Sequence, residues 1–171
     1  MNMNMKNRKR RRFDRGQGLV ELTLILPVLL TLTFGVLELG MLLDVTHSVS
    51  GLTREGANLA SRGGALDSVL LVTARNGASI GLQSGGGVIA SEIQVLGGVP
   101  TVVDQVATPG YTTLSRVGLL GAPATPLVGQ GLANGSFYYV VEVFAPYNSF
   151  TPLNALMNAV VPDTLYDRTV F

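Results

Sequence analysis

The sequence predicts an α+β protein: a long N-terminal transmembrane helix continuing into a periplasmic stalk, followed by a small antiparallel-sheet domain. Three observations carry this. An apolar run at residues 22–43 holds one charge, Glu38, in 22 residues. Short β-branched or alternating runs stand at 88–96, 137–144 and 164–171. These runs come after the long helical patterns and do not alternate with them one for one, which is the order of an α+β layout and not of a parallel sheet.

The chain has 171 residues, which favours one domain. Apolar residues make up 47 % and charged residues 13 %, apolar for a protein of this size, and the excess is concentrated before residue 45. Charge is just as unevenly spread. Lys6, Arg8, Lys9, Arg10, Arg11, Arg12 and Arg15 face only Asp14 in residues 1–16, whereas the remainder holds five arginines against ten carboxylates. A basic tail abutting an apolar span is accounted for by the positive-inside rule, so no nucleic-acid partner is expected. There is no cysteine, which excludes disulfides and thiolate metal sites.

At 1.5 Å per residue the apolar run spans about 33 Å, enough for a hydrocarbon core of about 30 Å. A buried core helix rarely stays apolar on every side for so long. A secretory signal peptide is shorter and ends in a small-x-small site, which residues 43–47 do not offer. The expected organisation is therefore a basic cytoplasmic leader at 1–16, a transmembrane and stalk helix at 17–62, and an exported domain at 63–171. The expected topology is single-pass with the N-terminus inside.

At the junction stands Arg15-Gly16-Gln17-Gly18-Leu19-Val20-Glu21-Leu22. A protease at the inner membrane face needs an unhindered peptide bond between leader and helix, and glycine leaves the backbone uncovered. Residues 15–60 resemble the TadE-like family of pseudopilins from the tight-adherence (Flp, type IVc) pilus machinery. The matching elements are Arg15-Gly16, Val20-Glu21, Leu26-Pro27, Gly35, Glu38, Gly40 and Arg54-Glu55-Gly56-Ala57. Phe144-Ala145-Pro146-Tyr147 and Leu165-Tyr166-Asp167 to Phe171 also resemble that family's ending. The resemblance implies cleavage at Gly16–Gln17 by a prepilin peptidase, leaving Glu21 four residues beyond a new amine. Gly18 departs from a common alanine and Leu22 from a common aromatic. The resemblance also implies the bacterial inner (cytoplasmic) membrane as location, with the C-terminal domain periplasmic or extracellular. The partners it implies are other Tad pseudopilins, the major pilin, the inner-membrane assembly platform and the lipid bilayer.

Two carboxylates interrupt the apolar helix. Glu21 in the first turn suits the positive end of the macrodipole and can serve as an interfacial cap. In the family's terms it is an assembly residue, because the cleaved amine on Gln17 lies within i,i+4 reach in the same or a packed chain. Glu38 has two readings as well. It can snorkel to the interface, or it can face a partner helix. Steps of about 100° place Pro27, Thr31, Gly35 and Glu38 within an arc of about 80°, and small and polar residues on one stripe are what helices in lipid pack through. Leu24 and Leu42 share that arc.

Beyond the span, Val45, Val49, Leu52 and Leu59 predict an amphipathic continuation to Ala60, about 63 Å from Leu19, closed by Gly63-Gly64. A second helix is expected at 67–79 and a turn at 85–87. A Gly/Pro-rich loop, with room for a short element from Tyr111 to Leu120, is expected at about 97–135. One or two helical turns are expected at 153–160, between Pro152 and Pro162. Catalytic chemistry is not expected: His47 is the only histidine, no nucleotide or paired-carboxylate signature stands out, and no metal or other cofactor is implied. The function expected is a minor pseudopilin or pilus-assembly protein. The alternative is an unprocessed single-pass anchor whose exported module binds an envelope ligand.

Overall fold

The computed structural model describes residues 4–149, 151, 152, 159 and 161–171, and only the backbone of residues 4–16. Helix α1 (Asn4–Ser61) runs without a break through Pro27. Helix α2 (Leu66–Asn76) follows, with a short 3-10 turn at Ala78–Ile80. Four strands come next: β1 (Gly87–Leu96), β2 (Val99–Ala107), β3 (Phe137–Pro146) and β4 (Thr164–Val170). They form one antiparallel sheet in the order β2-β1-β3-β4. The α+β layout read from the sequence is the layout observed. The expected turns at 153–160 fall almost entirely outside the described residues.

Helix α1 has two chemically distinct halves. From Gln17 to Leu37 no residue is buried, and leucines such as Leu24 and Leu32 are more than half exposed. Burial begins at Glu38 and continues through Val49, Leu52, Thr53, Gly56, Ala57 and Ala60, a three-and-four spacing that keeps one stripe against the head. Leu59, expected on this stripe, falls off it and is exposed. The small residues at its upper end let α1 approach closely. A Cβ on Gly56 would stand 2.8 Å from Thr73 Oγ1 and 3.1 Å from Val141 Cγ1. The helix then stops in a Schellman arrangement: Gly63, at φ 88°, donates to Ala60 O and Gly64 donates to Leu59 O. The upper half of α1 is therefore no bare stalk but one wall of the head's core.

Both faces of the sheet are covered. On one side Val88, Ala90, Val141, Val143 and Ala145 pack against Val49, Leu52 and Ala57 of α1 and Val69 and Leu70 of α2. On the other, Ile93, Val102 and Val140 meet Val117, Ala124 and Leu127 from the chain between β2 and β3. That connection covers the sheet as a layer of its own, held by Thr125 N–H donating to Val117 O (2.8 Å) and Gln105 Nε2 donating to Gly118 O (3.0 Å).

One expectation is corrected here. Residues 97–135 are not a loop throughout, because β2 occupies their first third. Pro100 removes a donor and argues against a central strand, yet it is tolerated because β2 lies at the sheet edge. A bulge at Val103, opposite Glu92 and Ile93 of β1, also breaks the alternation of β2 that would have revealed the pairing. Beyond β2, residues 117–124 add backbone bonds to its outer side, with Val102 N–H donating to Ala122 O (3.0 Å) and Ala124 N–H to Pro100 O (2.7 Å).

Candidate functional site: the exposed half of α1 and its joint with the head

Gly16 and Gln17 lie within the continuous helix, Gln17 exposed. Glu21 is exposed one turn later, and no described residue of its own chain bonds to it. Pro27 and Thr31 are also exposed, and Gly35 is half-buried with open space where a side chain would stand. The threonines of this stretch carry no unmet polar demand. Thr31 Oγ1 donates to Pro27 O (2.8 Å), and Thr23 and Thr33 likewise bond back to the carbonyls of Leu19 and Leu29. Such i−4 back-bonding lets a hydroxyl sit in an apolar medium without a partner from outside.

Glu38 is separated from the rest of its stripe by the head. It is fully buried, and its carboxylate is held within the chain. The Tyr147 hydroxyl donates to Oε1 at 2.7 Å and the Thr151 backbone N–H donates to Oε2 at 3.3 Å. Tyr147 follows directly on β3, so this joint ties the end of a core strand to the helix where its exposed half ends. A lone carboxylate in an apolar helix demands a donor. Tyr147, the last of the four residues Phe144-Ala145-Pro146-Tyr147 given above, supplies one. Tyr147 and Thr151 themselves were not among the residues expected at a site.

A second buried carboxylate fastens the far face of the sheet. Glu142, at the centre of β3, is fully buried. It accepts bonds from the Ser115 hydroxyl, the Arg116 backbone N–H (2.9 Å) and the Tyr166 hydroxyl (2.9 Å). The Arg116 guanidinium lies 4.3 Å from the Tyr166 ring centroid, and the Tyr166 and Phe144 rings are 4.9 Å apart. Burial, and then the Glu142 charge, push the Tyr166 phenol up to about 12, with the Arg168 guanidinium opposing them. The signal in the sequence was a single acid in a strand otherwise apolar on both sides, which marks a central strand with both faces covered. Among the described residues no three His, Cys, Asp or Glu side chains gather as a metal site would require.

The geometry defines a class: a protein with one helix long and apolar enough to cross a membrane, whose upper half is built into an α+β head. Within that class, residues 16–58 match the model of the TadE-like protein family. The match runs from Gly16, along the exposed half of α1, to the last turn packed on the head, and it includes Glu21, Pro27, Thr31, Gly35 and Glu38. No curated protein and no solved structure matches the chain significantly.

Proposed function

We propose that this chain is a minor pseudopilin of a Tad (Flp) pilus system, inserted once with its N-terminus cytoplasmic, trimmed after Gly16, and assembled through the exposed half of α1. The observation that carries the reading is the coincidence of the TadE-like match with a helix half that its own head leaves uncovered. A membrane can solvate that half as a monomer, and the helices of sister subunits can cover it in a filament.

The same sequence serves the processing step. The Gly16–Gln17 bond lies within a helix, so a prepilin peptidase must open a local turn to reach it. Glycine at 16 and again at 18 lowers that cost by about 1 kcal/mol each relative to alanine. Cleavage frees an amine on Gln17, one turn from the uncommitted carboxylate of Glu21. Once water is excluded, a lone carboxylate there is costly, and pairing it with an amine of the same or a neighbouring chain fixes the axial register of subunits. Glu38, whose oxygens are engaged by Tyr147 and Thr151, would contribute by holding the head at a set height on the helix.

N-terminal sequencing of the membrane-extracted protein tests the proposal, alongside a Glu21→Ala variant. The expected result is a chain beginning at Gln17 in both proteins, with filament incorporation lost only in the variant. An intact leader in the native host would leave the unprocessed anchor. Normal incorporation of the variant would remove Glu21 from assembly.

A further inference from the structure

The apolar run of the sequence ends at Leu43, but the head takes hold of α1 at Glu38. Residues 38–43 therefore belong to both, an overlap of about 9 Å along the helix axis. Within it Leu39, Met41 and Leu43 are 55, 45 and 57 % exposed, while Glu38 is buried beneath the head. Whatever layer surrounds those side chains also meets the lower rim of the head at the same height.

That rim carries a groove of about 300 Å³, formed by Met41 and Val45 of α1, Ser79 and Ile80 after α2, and Pro146 and Asn148 at the end of β3. Its helix side is apolar. Its other side offers hydroxyl and amide donors, and no charged side chain lines it. Met41 to Val45 rise by about 6 Å, straddling the end of the apolar run.

We propose that the lower rim of the head is seated in the lipid interface, with this groove occupied by the glycerol and ester region of a phospholipid from the leaflet on the head side. Ester carbonyls accept from Ser79 and Asn148, and the first methylenes lie along Met41 and Val45. With no cation in the lining, the groove does not select headgroup charge. The inference rests on α1 crossing the bilayer, and not on cleavage or filament entry.

The chain has no cysteine, so single cysteines can be labelled without background. Leu30→Cys, Asn148→Cys and Ser61→Cys, each carrying a small fluorophore, are reconstituted in phosphatidylcholine vesicles containing nitroxide lipids. The expected result is strong quenching at position 30 by a deep acyl nitroxide. Position 148 should be quenched several-fold more than position 61 by a nitroxide near the glycerol, unchanged when anionic phosphatidylglycerol is added. Quenching at 30 with none at 148 beyond that at 61 overturns the seat while leaving the membrane crossing intact. Copy-to-copy crosslinking through Asn148→Cys in place of quenching assigns the groove to a second subunit, and quenching only with anionic lipid rejects the uncharged groove. An unquenched position 30 removes the crossing and the seat together.

Discussion

Among the donors that hold Glu38 are the Tyr147 hydroxyl on one oxygen and the Thr151 backbone amide on the other, and the two differ in what mutation can reach. Tyr147→Phe removes the hydroxyl alone and leaves the carboxylate buried with one donor fewer. Hydrogen bonds to charged groups are worth about 1.5–3 kcal/mol, and an unmet buried acceptor costs its full desolvation. The expected outcome is a loss of about 1–3 kcal/mol in head stability, read as a lower denaturation midpoint in detergent micelles. Glu38→Gln in the same background should cost less than the sum of the two single changes, because the charge that needed the hydroxyl is gone. Strict additivity would show that the bond contributes nothing. At this scale the sequence exposed the anomaly but not its resolution. A single acid in an apolar helix was legible, whereas its partner lies 109 positions away, and helical periodicity relates only near neighbours.

The elements with a strong local signature were legible: the apolar helix, the helix after Gly63-Gly64, and the strands at 87–96, 137–146 and 164–170. Strand β2 was not, since its alternation is broken by a bulge and its start by Pro100. The layer formed by residues 108–136 was equally hidden, because its order comes from Glu142 and Gln105 on the sheet and not from its own periodicity. That dependence gives the element-scale prediction. The Tyr166 phenol is held near 12, above its ordinary value of 10, so the folded state favours the neutral form. This contribution is fully present below about pH 10 and is lost as pH rises through 12. Compared with wild type, Tyr166→Phe should lose less stability between pH 10 and 12, seen as a shallower fall in thermal midpoint. Glu142→Gln removes one of the causes of the shift. It should bring the Tyr166 titration down and raise amide exchange at Arg116, while α1 and α2 keep their protection.

On the scale of the whole molecule, the boundary between span and head decides which fragment is a folding unit. The sequence alone placed that boundary near residue 62, after the stalk. A core as modest as the one read from the sequence calls for docking to the stalk helix or to another subunit, and the structure packs α1 against the head from Glu38 onward, where Val88, Ala90, Val141, Val143 and Ala145 require an apolar layer that α2 alone does not supply. Burying a side chain the size of Val49 or Leu52 is worth about 1.5–3 kcal/mol. Two such residues, with Ala57 and Ala60 beside them, approach the 5–15 kcal/mol that separates a typical folded domain from its unfolded chain. A fragment of residues 63–171 should therefore remain without fixed tertiary structure, with no near-UV dichroism from its five tyrosines and no cooperative melt. A fragment of residues 37–171 lacks the most exposed apolar surface but keeps Glu38 and the whole docked stripe. It should fold, melt cooperatively and retain exchange protection in β1 and β3. If the shorter fragment melted as cooperatively as the longer one, the upper half of α1 would be a detachable stalk after all. Its small-residue approach at Gly56 would then be contact without consequence for stability.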